Sequence, residues 1–462
     1  MEGLEISEIS YKTVITENDW HRFDPEYYKK YAVSLVNLIR GNNYALIGDC
    51  FDVSKLAGFE FTEYFTPNNM QSNNNYIALT SKNIQSERLD LSDYITIDKT
   101  IADNNLQRSK IIKEDVILSY TGEYRRSLVM QDDQNYQLGP NICRLRSISK
   151  IINPYYLSAF FNSKIGQTIL DKEKTLSAQP TVAMSRIRQI PIPIIEDQDR
   201  IECLIKQAYK NIEKSKMIYE DVESMLLKEL GLTDWQPNNN PFNIKQLKES
   251  FLASGRLDAE YYQPKYDDYN GLIKSYNNGF DLLGKICKLN EQNYSPSEKT
   301  EYRYIELSNI GKSGEITGCT IAFGAELPSR ARRLVHTNDV IISSIEGSLQ
   351  SVALVTEDYD NAICSTGFYV VKSEIINPET LLVLFKSEPM QNLLKQGCSG
   401  TILTAIGRNE LQNIAMPKIR KAVQSEIAEY VQKSIALRNE AKQLLENAKL
   451  QVENEISWGG GS

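Results

Sequence analysis

The sequence predicts an α+β chain of α/β type. It is built as a pseudo-twofold internal repeat: two tandem globular domains and two long helices, with one helix after each domain. Three observations carry this. HRFDPEYY at 21–28 returns as GRLDAEYY at 255–262; INPYYLSAFFNS at 152–163 returns as INPETLLVLFKS at 376–387; and IPIP at 190–193 returns as IAMP at 414–417. Each of these last segments then runs into a long charged helical stretch. The order is the same in both halves, so the repeat is a whole domain plus a helix.

Length and composition agree. A chain of 462 residues exceeds one ordinary core, and two units with helices match common domain sizes. Hydrophobic content of 41% with 24% charged residues describes a globular protein. No apolar run approaches the ~18 residues that cross a bilayer, so no membrane is expected. The opening MEGLEISEISYKTVI lacks a basic stretch followed by an apolar one, so no signal peptide is expected. Seven scattered cysteines, an odd number without CxxC, point to buried thiols in a reducing compartment. The net charge of −8 argues mildly against nucleic acid, but binding depends on local potential, not on the sum.

The elements follow in order. Residues 21–40 predict a helix, with Asp24-Pro25 as N-cap and first residue, a stripe of Tyr28, Tyr31, Ala32, Leu35, Leu38 and Ile39, and Gly41 as stop. From 44 to 150 short apolar runs alternate with turn residues: strands are expected at 76–79, 94–97, 115–120, 127–130 and 141–146. The second copy predicts strands at 302–307, 339–344, 351–355 and 367–371. Asn153-Pro154 and Asn377-Pro378 open matching helices, and short strands at 190–195 and 414–419 follow.

The stretch 198–230 carries Ile201, Ile205, Ala208, Ile212, Ser215, Tyr219, Val222 and Leu226 at alternating four and three steps, a coiled-coil seam. In 422–456 Ile427, Val431, Ala441, Leu445, Ala448 and Val452 continue such a seam, while Ser434 and Arg438 interrupt it. Pairing of the two helices within the chain is the first reading; packing of each on its own domain, or on a partner, is the alternative. GLTDWQPNNNPFN at 231–243 reads as the linker between copies. The expected organisation is domain one over 1–195, a central helix over 196–231, a linker over 232–250, domain two over 251–419, a C-terminal helix over 420–457, and an appended Gly/Ser tail over 458–462.

Catalytic chemistry is thinly represented. Two histidines, His21 and His336, leave little room for triads or histidine metal sites. There is no phosphate loop, and IGDC at 47–50 and GKSG at 311–314 are poor dinucleotide loops. The sequence reads as a recognition module without catalytic or metal-binding residues. Candidate nucleic-acid contacts lie at matching places in both copies: Lys82, Asn83, Gln85, Arg125, Arg126, Arg186 and Arg188 in the first, and Asn309, Lys312, Arg330, Arg332, Arg333, Ser348, Gln350, Arg408 and Asn409 in the second. Arginine forks suit phosphates and guanine edges, and Asn and Gln suit adenine.

The duplicated R-x-D-x-E-Y-Y, D-V-I-[LI]-S, I-N-P and I-x-x-P motifs, in a domain–helix–domain–helix order, resemble the specificity subunits of type I restriction–modification systems across 20–457. The resemblance implies two tandem target-recognition domains separated by two long antiparallel coiled-coil helices. It implies DNA-binding to a bipartite double-stranded target, with each domain reading one half. It also implies two methyltransferase subunits docked on the helices, a restriction or translocase subunit in some assemblies, no active site in this chain, and a cytoplasmic location in a bacterium or archaeon. S-adenosylmethionine, ATP and Mg would then be used by the partner subunits. A helix of about 33 residues spans roughly 50 Å, about 15 base-pair steps, a suitable spacer. Regions 80–127 and 308–350 share little beyond strand positions, so two different half-sites are expected. A two-domain coiled-coil scaffold binding only protein partners is the competing reading, and a self-contained enzyme the third.

Overall fold

The computed structural model describes residues 8–16, 22–71, 75–85, 88–91, 93–122, 126–290, 292–400 and 404–458. The chain forms two compact units, Met1–Ile212 with Asn439–Ser462, and Glu213–Arg438.

In the first unit, strands β1 (Tyr44–Leu46), β2 (Phe51–Lys55), β3 (Asn75–Leu79), β4 (Ile95–Asp98), β5 (Lys110–Ile111), β6 (Val116–Ser119), β7 (Ser127–Val129), β8 (Tyr136–Leu138), β9 (Ile142–Ser147) and β10 (Pro191–Pro193) make three sheets. Their orders are β2-β9-β6-β7, β4-β3-β8-β5 and β1-β10. Pairing is antiparallel except for β3 with β8. The VILS run of β6 is buried on both faces because it lies between two cores. Val116 and Leu118 join a core with the helices Pro154–Asn162 and Lys164–Glu173. Ile117 points the other way, into a core with Tyr76, Leu79 and Leu138 of the second sheet. This is the period-two alternation of a strand with both faces covered.

The second unit repeats this. Strands β11 (Phe280–Leu282), β12 (Cys287–Asn290), β13 (Glu301–Ile305), β14 (Thr320–Phe323), β15 (Ala331–Leu334), β16 (Val340–Ser343), β17 (Val352–Leu354), β18 (Ile363–Ser365), β19 (Phe368–Ser373), β20 (Cys398–Ser399), β21 (Ala405–Ile406) and β22 (Ala415–Pro417) are present. The orders β12-β19-β16-β17, β14-β13-β18-β15 and β11-β22 mirror the first unit strand for strand. The parallel pair, β13 with β18, also recurs. Val340 and Ile342 face the helix core and Ile341 the sheet core.

The repeated motifs are clamps. Arg22 donates to both oxygens of Asp24 and, 2.9 Å away, to the carbonyl of Lys174. Arg256 does the same with Asp258 and the carbonyl of Cys398. Tyr28 and Tyr262 donate to the backbone carbonyl of their own arginine. The ring pairs Tyr27–Tyr28 and Tyr261–Tyr262 sit edge to face with centroids 5.0 Å apart in both. Asn153 and Asn377 cap their helices as expected. Their backbone N–H groups donate to the side-chain oxygens of Gln198 and Gln424, at 2.8 and 2.9 Å.

The single helix expected over 21–40 is corrected. Asp24 accepts from the Tyr27 N–H and closes a short 3-10 turn, Pro25–Tyr28; Lys29 is extended, and the helix runs over Lys30–Arg40. His21 lies outside the described residues. Gly41 ends that helix with φ −75°, so it stays in the right-handed region.

The long helices are Gln198–Glu229 and Lys421–Trp458. In the first unit Ile201, Ile205 and Ala208 share one core with Ala441, Leu445, Ala448 and Val452, and Ile212 packs at its edge. In the second unit Val222 and Leu226 share a core with Ile427 and Val431. There Ser215 meets Ser434 and Glu229 meets Arg420, so the pairing is antiparallel. Each seam also packs on the domain of its own unit, so pairing within the chain and packing on the domains occur together. No helix among the described residues is long and apolar enough to cross a membrane.

Candidate nucleic-acid interface

In both units some of the candidate contacts lie where the parallel strand pair, β3 with β8 and β13 with β18, ends. Loops following β3 and β13 leave the second sheet at this edge, and their first turns are built alike. In the first unit Asn83 is 1% exposed. Its side-chain oxygen accepts from the Thr80 N–H at 2.8 Å, and its amide donates to the carbonyls of Asp90 and Asp93 at 2.8 and 2.7 Å. In the second unit the Asn309 oxygen accepts from the Glu306 N–H at 2.7 Å. A buried amide with every bond satisfied internally holds its loop and has nothing left for a base edge. Asn83 therefore belongs to the frame, and the half-buried Asn309 closes the matched turn with its oxygen.

What these turns present differs. Lys82 is exposed, with a distant ion pair to Asp93 at 3.9 Å, and both side chains are 81% exposed. Gln85 accepts from Arg126, which draws the loop after β3 against the turn after β6. Arg125 lies outside the described residues. In the second unit Lys312 is exposed on the loop 311–315. Arg330 donates to Glu306 at 2.7 Å and to the Tyr304 hydroxyl at 3.2 Å. Arg332 is exposed and donates to the Ser329 carbonyl at 2.7 Å; Arg333 is half-buried and donates to Asn293 at 2.9 Å. Gln350 is exposed, and its carbonyl accepts from Lys386. Ser348 is half-buried, with its hydroxyl 2.9 Å from that of Ser343.

Of the two arginines before β10, Arg186 is corrected to a buried frame residue, while Arg188 is exposed. Arg186 is 8% exposed. It donates to the Glu173 carbonyl at 3.2 Å and lies 3.8 Å from the Glu173 carboxylate. Burial, then the neighbouring Arg22, hold its guanidinium below the ordinary arginine range. Arg188 donates to the Val53 carbonyl and closes over Gly48, where a Cβ would come within 2.9 Å of the arginine Cβ. Arg186 ties the segment before β10 to the end of the helix Lys164–Glu173, and Arg188 ties it to β2 of the first sheet. Arg408 and Asn409, at the matching place, are exposed in the short helix Arg408–Gln412.

Basic groups absent from the sequence expectation also stand over aromatic rings of the first unit. Lys99 and Lys110 stand over the Tyr76 ring at 5.9 and 5.8 Å, and Lys55 stands over Tyr120 at 5.5 Å. No local signal marks them, because each partner is distant in sequence. Among the described residues no group of three or more His, Cys, Asp or Glu side chains converges as a metal site. The seven cysteines are free thiols.

No family model matches the chain. The specificity subunit of the type I restriction enzyme EcoBI of Escherichia coli is 26% identical over 211 residues, 44% of this chain. The chain spans only 39% of that relative's length. Solved structures with the same chain-wide coverage include the type I S subunit from M. genitalium, at 12% identity over 90% of this chain and 94% of that one, with a TM-score of 0.39. The S subunit from Thermoanaerobacter tengcongensis is 14% identical over 90% and 96%, with a TM-score of 0.28. In sequence, the chain is similar to the specificity subunits of type I restriction–modification systems, the resemblance that its duplicated motifs carry.

Proposed function

We propose that this chain is a non-catalytic DNA-reading subunit. It recognises a bipartite, asymmetric double-stranded target and directs partner adenine methyltransferase subunits, and in some assemblies a restriction subunit, to that target. The observation that carries the reading is the contrast between frame and loops. Sheet order, clamps and helix caps repeat between the units, while the exposed groups on the loops after β3 and β13 do not. One frame carrying two different polar edges suits one kind of task on two different sequences. Exposed Lys82, Lys312 and Arg332 offer phosphate contacts, and Gln350 offers an amide to a base edge. S-adenosylmethionine, ATP and Mg enter this reading only through the partners. The protein-only scaffold accounts for the helices but gives the divergent basic loops no task.

The test is co-expression with an adenine methyltransferase partner, followed by modified-base sequencing of the host DNA. A bipartite motif with unlike halves is expected, and a contiguous motif or none would sink the reading. Removing seven residues, two helical turns, within 200–228 is expected to change the gap between the halves or abolish methylation. An unchanged gap would contradict the spacer role of the helix.

A further inference from the structure

The loop that presents Lys312 is fastened to a long helix, and the corresponding loop of the first unit is fastened elsewhere. The Ile310–Ile316 bridge closes the loop over 311–315, as Ile84–Leu89 closes the one over 85–88. Within 311–315 the chain turns tightly. Gly311 N–H donates to the Glu315 carbonyl at 2.8 Å, and Ser313 N–H donates to the Glu315 carboxylate at 2.9 Å. Gly314 has φ +76°, and a Cβ there would come within 2.3 Å of Leu382. That left-handed position suits glycine. Glu315 thus organises its own loop, and the same carboxylate accepts from Arg438 at 3.0 Å. The two side chains are 15% and 18% exposed. Arg438 also donates to Ser215 at 2.8 Å and to Ser434 at 3.2 Å, so its fork is fixed by the helix pair.

The first unit uses a different anchor. Aligning Gln198 with Gln424 places Ile212 at the position of Arg438, an apolar seam residue. Its loop is held instead by Arg126 on Gln85, one reading loop against the other. An arginine at a seam position costs desolvation and weakens the seam, and such residues are best attested as registry devices.

We infer that Glu315 and Arg438 are a positioning pair that sets the reading loop of the second unit by the register of the second long helix. The inference rests on the DNA-reading proposal above. The loop with Lys312 then moves with the helix, so recognition in one half of the target depends on helix register, whereas the first unit reads from loops that brace each other.

The experiment uses the full chain in complex with its methyltransferase partner. Modified-base sequencing scores each half of the motif separately, and Lys312→Ala identifies the half read by the second unit. Glu315→Gln combined with Arg438→Ile, the residue of the first copy, is expected to lose at least tenfold in discrimination in that half. The other half should stay within twofold, and thermal melting within a few degrees. The exchange Glu315→Arg with Arg438→Glu is expected to recover part of the loss, as is Arg438→Lys with Glu315 retained. Equal loss in both halves, or none in either, would overturn the inference, as would failure of every charge-restoring variant to recover discrimination in an assembled complex. A wild-type complex that yields no bipartite motif would instead remove the DNA-reading proposal itself.

Discussion

Ser215 and Ser434 face each other across the helix pair of the second unit with their hydroxyls 2.8 Å apart. Each hydroxyl also lies 3.0 Å from the other's backbone carbonyl. The two bonds are reciprocal: each serine donates to the opposite carbonyl, and Arg438 supplies donors to both hydroxyl oxygens. The contact replaces an apolar layer, and small side chains let the two backbones approach closely.

The serine pair predicts a coupled loss. Ser215→Ala or Ser434→Ala removes a buried donor and leaves Arg438 short of an acceptor, a cost of ~1–3 kcal/mol each. The double variant is expected to cost less than the sum, because the two share partners. Urea denaturation of the four forms measures this; strict additivity would mean the pair is not a unit.

The arginine clamps predict a stability effect without a change in target. Arg22 is held by Asp24 and by the carbonyls of Lys172 and Lys174, with its side chain 10% exposed. Arg22→Ala is expected to destabilise the first unit by ~2–4 kcal/mol, because it strands a carboxylate and two carbonyls. The sequence of the methylated motif should not change, as modified-base sequencing would report. A relaxed half-site would put Arg22 on the DNA.

Two buried lysines predict a rise in stability in alkali. Burial pulls Lys172 and Lys386 down from 10.5 to about 8, against the pull of neighbouring glutamates. Between pH 8 and the unfolded value of 10.5 the unfolded chain binds more protons at these sites, so each contributes stability that grows with pH. The gradient is on the order of 1 kcal/mol per pH unit per lysine. Lys386→Met should therefore gain most over the wild type below pH 8, with the difference shrinking toward pH 10. Chemical denaturation at pH 7, 8, 9 and 10 measures it; a constant difference would show that the amine does not titrate in that window.

The loop residues predict a split between frame and reader. Asn83→Ala should destabilise by ~1–3 kcal/mol through the unpaired Thr80 N–H and the Asp90 and Asp93 carbonyls. Lys82→Ala and Lys312→Ala should leave melting unchanged and weaken DNA binding of the assembled complex. Each should lower the slope of log affinity against log salt by about 1 if it contacts phosphate. Unchanged slopes in both would take these lysines off the DNA.

By itself, the sequence determined the duplication, the fold class, the asparagine caps at 153 and 377 and the seams of both long helices. All of these rest on local periodicity or on a motif recurring in register. Strands β3, β4, β6, β7, β9, β10, β13, β16, β17, β19 and β22 were legible for the same reason, whereas β2, β12, β14 and β15, of four or five residues, were missed. The two- and three-residue strands β5, β8 and β18 were missed too, because they are fixed by partners far away in the chain. Only the tertiary structure decided what Asn83, Asn309, Arg186 and Arg188 do. Their residue types suit a base or a phosphate equally well, but the frame takes up the Asn83 amide and the buried Arg186, closes its turn on the Asn309 oxygen, and draws one donor from the exposed Arg188. It also gave meaning to the interruption at Ser434 and Arg438. In sequence they break a seam; in the fold they meet Ser215 and Glu315, because a side chain's partner is set by how distant segments pack, which no local pattern encodes.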